Sequence, residues 1–471
     1  MAADKDCQHF HFIGICGTAM GAVAAAMKDR GCSVTGSDEH VYAPMSTFLG
    51  EKGIIIEEGY RAENIPPQAD VVVIGNAMSR GNAEVEAVLE RKLPYTSLPE
   101  LLKNEFLRGR RNMVVTGTHG KTTTSSMLTH ILDSGGCDPG YMIGGIARDL
   151  GRGCSFGGSE FFVLEGDEYD TAFFDKRSKF IHYLPEVVII NNIEFDHADI
   201  FEDIDAIKYS FRCMLNIVPR NGVVFVNGDD AHALDAASGC HAQVLRVGFD
   251  EKCERRITDV EYSPGSSAFT VHGMRCEIPM DGEFNVRNAA MAVCAACFVG
   301  LDKDGVASSL AKFSGIVRRQ ELRGEEGGVK VIDDFGHHPT AIRATLGAIR
   351  QRHPGSRIWA LFEPRSNTSR RNLMQEELVD SLSVADGIFV CAITDTEKVP
   401  EEQLLDVEAV VEALGARGRM AFSEPDAGAI AARLQTLAKP GDVVVVLSNG
   451  DFEGIHTKLL EALREGVGSK Q

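Results

Sequence analysis

A glycine-rich stretch followed by lysine and threonine, residues 112–124, carries the clearest chemistry in the sequence. Gly117 and Gly120 permit a tight turn, and Lys121 and Thr122 follow at the predicted start of a helix. Such a loop between a strand and a helix holds phosphate groups, because its backbone amides and the helix dipole face the anion. Lys121 would reach the outer phosphates and the Thr122 hydroxyl would bind Mg²⁺. We therefore predict a nucleotide site, with a plain turn rich in Gly and Thr as the alternative.

Carboxylates come directly after the next predicted strand, residues 161–164, and Glu165 is the first of them. Carboxylates in that position beside a phosphate loop are placed to hold Mg²⁺ on a bound nucleotide, so we predict Glu165 to be a metal ligand. Further acidic residues follow at once: Asp167, Glu168 and Asp170. They either support the metal site from further away or form a solvated acidic turn.

A second polar cluster follows the predicted strand 187–190 and contains Glu194, Asp196 and His197. A single histidine is more often structural than a ligand. Two polar clusters after strands of one phosphate-binding domain nevertheless favour a shared site, because ligands bind at the carboxyl ends of parallel strands. We therefore predict that His197 belongs to the metal–nucleotide site.

Polar residues also follow the predicted strands of the last third of the chain, 329–332, 358–362 and 443–447. We predict that four of the polar residues in this part face the nucleotide across a cleft: Arg318, Arg319, His337 and Arg365. Two asparagines at the predicted start of a preceding helix suit contact with a base or ribose: Asn285 and Asn288.

The N-terminal residues predict a βαβ unit, with strands at 10–13 and 33–35 and a helix at 22–28. A βαβ unit with an acidic residue after its second strand, here Asp38, is typical of the start of a dinucleotide-binding fold. An NAD-linked oxidoreductase is therefore one alternative for the function. Cys16 occupies the position of the second fingerprint glycine. We predict a phosphate-bearing nucleotide group here, with Asp38 near its ribose or base. The polar loop that ends the next strand, 76–82, is predicted either to bind ligand or to be a plain surface loop.

Length and composition narrow the class of protein. A chain of 471 residues is too long for one core, and alternating strands and helices predict α/β domains with parallel sheets. Residues 240–280 instead predict a small antiparallel sheet. The net charge of −20 argues against broad nucleic-acid binding. No run of 18 apolar residues and no apolar signal core occur, so we predict no membrane span and a cytoplasmic location.

Five motifs in this order resemble the ATP-dependent muramyl ligases of bacterial cell-wall synthesis: Gly117–Thr123, Glu165–Asp170, Asn192–His197, Asn285–Asn288 and Asp334–Pro339. The resemblance covers nearly the whole chain. It implies an α/β fold of three domains: a Rossmann-like UDP-sugar-binding domain at 1–109, a central ATP-binding domain at 110–317 with a parallel and a small antiparallel sheet, and a Rossmann-like peptide- and nucleotide-binding domain at 318–471.

The resemblance also implies roles for individual residues. Thr122 and Glu165 would hold one Mg²⁺ and His197 a second, while His337 and Arg365 would face the peptide or the intermediate. The implied ATP contacts are Gly117, Thr118, His119, Gly120, Lys121, Thr122, Thr123, Asn285, Asn288, Arg319 and Asp334. The implied sugar-nucleotide contacts are Gly14, Cys16, Gly17, Thr18, Ala19, Met20, Asp38, Asn76, Ala77 and Met78.

Four stretches resemble the family members that join a murein tripeptide to UDP-N-acetylmuramate: 75–82, 168–179, 195–201 and 363–368. Members that add L-alanine to the same sugar nucleotide share the ATPase motifs and are the alternative within the family. The resemblance implies an acyl phosphate intermediate, a bacterial cytoplasmic enzyme of peptidoglycan recycling, and a monomer or homodimer. An NAD-linked oxidoreductase and a non-catalytic nucleotide-binding regulator are the alternatives from other classes.

Overall fold

The structure of the protein is a computed structural model that describes residues 8–394, 396 and 399–468, the last three by their backbone alone. The strands of the first domain are β1 (His9–Ile13), β2 (Ser33–Asp38), β3 (Ile55–Glu58), β4 (Val71–Ile74) and β5 (Tyr95–Ser97). Its helices are α1 (Thr18–Asp29), α2 (Met45–Glu51), α3 (Ala83–Arg91) and α4 (Leu98–Leu102). The strands form a parallel sheet in the order β3-β2-β1-β4-β5. Helix α1 begins at Thr18 and not at the predicted residue 22, directly after the extended Gly17.

The central domain holds the largest sheet. Its strands are β6 (Arg111–Thr116), β7 (Gly140–Met142), β8 (Cys154–Ser155), β9 (Phe161–Glu165), β10 (Asp170–Ala172), β11 (Asp175–Ser178), β12 (Pro185–Ile190), β13 (Val223–Asn227), β14 (Gln243–Gly248), β15 (Arg255–Arg256), β16 (Thr258–Ser263), β17 (Ser266–Val271) and β18 (Met274–Ile278). Its helices are α5 (Lys121–Ser134), α6 (Ile204–Leu215), α7 (Ala231–Ala237), α8 (Glu283–Phe298) and α9 (Lys303–Leu310).

Eight central strands form one sheet in the order β15-β14-β13-β12-β6-β9-β7-β8. Its neighbouring strands run parallel except β7 and β8. The predicted small antiparallel sheet is present as β16-β17-β18, but it is shorter than the stretch 240–280. Strand β14 instead pairs in parallel with β13, because its buried Leu245 and Val247 join the core of the large sheet.

The strands of the C-terminal domain are β19 (Glu321–Glu326), β20 (Val329–Asp334), β21 (Ile358–Phe362), β22 (Gly387–Cys391), β23 (Met420–Glu424) and β24 (Val443–Leu447). Its helices are α10 (Pro339–Arg352), α11 (Gln375–Leu382), α12 (Val407–Ala416), α13 (Ala427–Leu437) and α14 (Ile455–Gly468). The sheet order is β19-β20-β24-β21-β22-β23, and only β19 and β20 pair in antiparallel fashion. The predicted α/β class with three domains is confirmed, while the boundaries after residues 109 and 317 stay predictions.

Both faces of the central sheet are buried, which explains why its strands are continuously hydrophobic. Met113 and Val115 of β6 pack into the core formed with α5 and α8. The residue between them, Val114, faces the other side and shares a core with Phe10 and Phe106 of the first domain. The C-terminal domain has two cores of its own, built from residues between 329 and 463. Within the described residues, no helix combines the length and the apolar character that crossing a membrane requires.

Candidate active site

The phosphate loop is a tight turn between β6 and α5, as the sequence predicts. Gly117 and Gly120 have φ angles of 128° and 78°, in the region that favours glycine. A Cβ atom on Gly120 would lie 2.5 Å from Asn288 Oδ1 and 2.9 Å from Asn191 Nδ2. The loop is also anchored from the second polar cluster, since His119 N donates to Asn192 Oδ1 at 2.7 Å. Backbone and packing therefore both require glycine at position 120.

Lys121 folds back over this loop. Its Nζ donates to Gly117 O at 2.7 Å and to the Glu168 oxygens at 3.0 and 2.9 Å. Burial alone would lower the pKa of Lys121, but the neighbouring Glu168 and Asp167 more than offset it, so the pKa lies above its usual value. The ammonium group is therefore charged and positioned at the mouth of the loop.

Glu165 ends β9 beside the start of α5. Thr122 Oγ1 donates to Glu165 Oε1 at 3.0 Å, and Gly144 N donates to Oε2 at 2.7 Å. Burial raises the pKa of Glu165 above its usual value, although these donors and Lys121 act against it. A desolvated carboxylate next to a hydroxyl offers the oxygen donors that Mg²⁺ prefers. Thr122 and Glu165 thus fit a magnesium ion.

Glu168 connects the two polar clusters that follow β9 and β12. It is 2% exposed, and its Oε1 lies 3.0 Å from His197 Nε2 as well as within reach of Lys121. Burial tends to lower the pKa of His197, but Glu168 raises it above the usual value. The structure therefore favours a role for Glu168 in supporting the metal site over a place in a solvated acidic turn. The sequence alone had left both alternatives open for Glu168.

His197 has a left-handed backbone, with φ of 56°. Its N–H donates to Asp196 Oδ1 at 2.7 Å and to Thr368 Oγ1 at 3.0 Å. Thr368 belongs to the C-terminal domain and is 3% exposed, so a residue of another domain helps to fix the histidine. The sequence analysis included Thr368 in the resemblance stretch 363–368 but did not predict this contact, because the two residues are 171 positions apart.

The predicted adenine and ribose contacts line the same cavity as the phosphate loop. Asn285 Nδ2 donates to Asp281 O at 2.8 Å, whereas its buried Oδ1 has no hydrogen-bond partner within the described part of the chain. The Arg319 guanidinium lies 4.8 Å from the centre of the Phe335 ring. Asp334 accepts hydrogen bonds from the backbone N–H groups of residues 320 and 336, and burial raises the pKa of its carboxyl group.

The predicted sugar-nucleotide residues surround the start of α1. Cys16 N donates to Asp38 Oδ2 at 2.8 Å, which holds the loop against the end of β2. A Cβ atom on Gly14 would lie 3.4 Å from Met78 Cε. The loops that follow β1 and β4 are therefore neighbours, as expected at the carboxyl edge of a parallel sheet.

One cavity of about 1030 Å³ joins these regions. Its lining includes predicted residues from all three domains: Gly17, Thr18, Ala19, Met20, Asn76, Thr118, His119, Gly120, Lys121, Thr122, Thr123, Glu165, His197, Asn285, Asn288, Arg318, Arg319, Asp334 and His337. The described lining does not include Gly14, Cys16, Asp38, Ala77, Met78, Gly117 or Arg365. Arg365 Nη1 instead lies 3.5 Å from Glu363 Oε1, so its contact with the peptide stays a prediction.

Comparison with known proteins is consistent along the whole chain. Residues 9–109 match the catalytic domain of the Mur ligase family, residues 115–296 the Mur ligase middle domain, and residues 318–450 the Mur ligase glutamate ligase domain. The UDP-N-acetylmuramate–L-alanyl-gamma-D-glutamyl-meso-2,6-diaminoheptandioate ligase of Escherichia coli (strain K12) is 42% identical over 464 residues, which cover 98% of this chain and 99% of that protein.

Two further comparisons support the same relationship. The crystal structure of a murein peptide ligase from Psychrobacter arcticus 273-4 aligns with a TM-score of 0.71 at 35% identity and covers 97% of this chain and 99% of that one. The UDP-N-acetylmuramate–L-alanine ligase of Bradyrhizobium sp. (strain ORS 278) is 34% identical over 466 residues, which cover 96% of this chain and 97% of that protein. The chain therefore belongs to the Mur ligase family.

Proposed function

We propose that the protein is an ATP- and Mg²⁺-dependent ligase that joins the tripeptide L-alanyl-γ-D-glutamyl-meso-diaminopimelate to UDP-N-acetylmuramate in peptidoglycan recycling. The observation that carries this proposal is the 42% identity, over 98% of the chain, to the E. coli ligase named for these substrates. The cavity supports it, because residues of the three domains line one space in which a sugar nucleotide, ATP and a peptide would meet.

Thr122 and Glu165 are the residues that would hold one Mg²⁺ and His197 a second, and these ions would neutralise charge between the triphosphate and the sugar carboxylate. Lys121 would act beside them. The Lys121 ammonium group has three protons to donate, and it donates to both carboxylate oxygens of Glu168. A phosphate group that binds Lys121 must therefore compete with Glu168. The phosphate loop is thus already charged and oriented for the nucleotide, which is the form of electrostatic preorganisation that lowers a barrier.

The proposed reaction transfers the outer phosphate of ATP to the lactyl carboxylate of UDP-N-acetylmuramate. The N-terminal amine of the tripeptide then attacks the acyl phosphate, the amide bond forms, and phosphate leaves. Enclosure of the cavity between domains would keep water from the acyl phosphate. Burial lowers the pKa of His337, which lines the same cavity, so its imidazole is neutral and able to accept the proton that the amine releases.

The decisive experiment is mass analysis of the products formed from ATP, Mg²⁺ and UDP-N-acetylmuramate with either the tripeptide or L-alanine. We expect ligated tripeptide, with phosphate release only when all substrates are present. Lys121→Ala serves as the control, because it removes the ammonium group from the phosphate loop. Absence of ligated product under all conditions would overturn the proposal.

Addition of L-alanine is the second candidate within the family. The relatives named for that reaction are 32–34% identical to this chain, against 42% for the tripeptide ligase. Equal turnover of L-alanine in the product analysis would favour this candidate. Family membership gives no support to an NAD-linked oxidoreductase or a non-catalytic regulator. A cytoplasmic location, and a monomer or homodimer, stay predictions.

A further inference from the structure

We propose that His119, Glu194 and His338 form a binding site for one divalent transition metal ion of the Zn²⁺ class, which joins the central and C-terminal domains. This site shares no ligand with the proposed magnesium ligands Thr122, Glu165 and His197. The inference rests on the side-chain geometry of the cluster and does not depend on the proposed function.

The three potential ligand atoms have the spacing of a tetrahedral face. His119 Nε2 lies 3.1 Å from His338 Nδ1, and each of these nitrogens lies 3.4 Å from Glu194 Oε2. Ligand atoms at about 2.1 Å from a tetrahedral zinc ion are about 3.4 Å apart. A metal ion therefore fits at the centre of the cluster with only small movements of the side chains.

The surroundings of the cluster match those of a metal site. His338 Nε2 lies 3.3 Å from Phe195 O, so its proton can be donated to that carbonyl while Nδ1 faces the metal. Thr340 Oγ1 donates to Glu194 Oε2 at 2.6 Å and orients the carboxylate. Thr340 N also donates to His338 Nδ1 at 3.3 Å, and a metal ion would replace that long hydrogen bond.

The chemical types of the three ligands are those that bind transition metals. Imidazole nitrogen and carboxylate oxygen both coordinate Zn²⁺, at about 2.0–2.2 Å. Two nitrogen ligands in a set of three favour Zn²⁺ or Co²⁺ over Mg²⁺, which prefers oxygen.

The position of the site links metal binding to the arrangement of two domains. His119 and Glu194 belong to the central domain and His338 to the C-terminal domain, so the metal can bind fully only when these domains are together. His119, Glu194 and His338 also line the large cavity, which leaves room for water as a fourth ligand. Binding would therefore stabilise the closed arrangement by linkage.

The test is Co²⁺ and Zn²⁺ binding to the full, untagged chain in excess Mg²⁺, which occupies oxygen-rich sites. We expect one equivalent of Co²⁺ with the intense visible absorption of four-coordinate cobalt, and its displacement by Zn²⁺. Small-angle scattering should show a more compact molecule when Zn²⁺ is bound.

Two variants remove one ligand each, His338→Asn and Glu194→Gln. Asparagine retains an acceptor for the first turn of α10, so the helix cap is preserved. Each variant should bind Zn²⁺ at least about 100-fold more weakly, because loss of a ligand costs no less than loss of an outer contact. His337→Asn, the neighbouring histidine outside the cluster, is the matched control and should bind like the unaltered protein. Circular dichroism confirms that each variant is folded.

Absence of four-coordinate cobalt absorption in the unaltered protein would overturn the proposal and leave a hydrogen-bonded His–His–Glu cluster. Equal Zn²⁺ affinity of the unaltered protein, His338→Asn and Glu194→Gln would overturn it as well. Loss of binding in His337→Asn, with binding retained in the two cluster variants, would place the ion elsewhere in the cavity.

Discussion

Replacement of Glu168 by glutamine should weaken the fold and at the same time strengthen the binding of metal-free nucleotide. Glu168 is 2% exposed and accepts hydrogen bonds from Lys121 at 3.0 and 2.9 Å. Its Oε1 also lies 3.0 Å from His197 Nε2. A hydrogen bond to a charged group contributes about 1.5–3 kcal/mol, and a neutral amide retains part of each contact. We therefore expect Glu168→Gln to lower the free energy of unfolding by about 2–4 kcal/mol.

The nucleotide effect has the opposite sign. In the unaltered protein, a phosphate group must compete with Glu168 for Lys121 and also approach a negative charge. Two unit charges about 5 Å apart at an effective dielectric constant of about 20 repel by about 3 kcal/mol. Part of this term is offset because Lys121 becomes more mobile, so we expect ADP without Mg²⁺ to bind about tenfold more tightly to Glu168→Gln.

Denaturant unfolding and calorimetric titration of ADP in the presence of a chelator measure the two effects. Glu254→Gln is the matched control, since its carboxylate pairs with Arg246 at the surface. An exposed pair contributes about 0–1 kcal/mol, and Glu254→Gln should leave ADP affinity unchanged. The reasoning is refuted if Glu168→Gln unfolds like Glu254→Gln, or if its affinity for metal-free ADP does not rise.

Three further predictions concern the site and the central domain. Thr368→Val removes the hydroxyl that accepts a hydrogen bond from His197 N. It should lower kcat/KM about tenfold in a phosphate-release assay, whereas Thr368→Ser keeps the hydroxyl and should not. Equal rates for both variants would contradict a role of Thr368 in positioning His197. Gly120 has a φ of 78°, and the Cβ of an alanine there would lie 2.5 Å from Asn288 Oδ1. Gly120→Ala should therefore weaken ATP binding, measured by calorimetry, more than about tenfold. An unchanged affinity would show that the loop can accommodate the methyl group. Arg177, chiefly through its hydrogen bond, lowers the pKa of Asp175 to about 2. The ionised Asp175 carboxylate therefore stabilises the fold above a pH of about 4, and this stabilisation is lost as the pH falls towards 2. In thermal scans at a series of acid pH values, the melting temperature of Asp175→Asn should fall less steeply with pH than that of the unaltered protein, and an equal fall would contradict the prediction.

The sequence predicted the phosphate loop and Glu165 because their signals are local. A buried strand, two glycines at fixed spacing and a following Lys-Thr specify a backbone shape whatever the rest of the chain does. The carboxyl ends of parallel strands likewise placed Glu165 and His197 at one edge. The αβ alternation was sufficient for the fold class as well.

The remaining site features depend on which way side chains turn and on which loops meet. Nothing in the order of residues 165–170 shows that Glu168 turns inward and Asp170 pairs with an exposed lysine. The contact between His119 and His338 joins residues 219 positions apart in two domains. Asp334 was predicted after a strand, yet it ends β20, because the backbone pairing with β24 continues to Leu447.

The shared core beneath the central sheet has a consequence for how the protein melts. Val114 of the central domain and Phe10 and Phe106 of the first domain belong to one apolar cluster, whereas the two C-terminal cores contain residues only from 329 onward. The first two domains must therefore lose their packing together, so they form one cooperative folding unit. Calorimetry should resolve two transitions from three domains. Residues 8–317 would then act as a single rigid platform, and the movements that open the cavity would be confined to the hinge before β19.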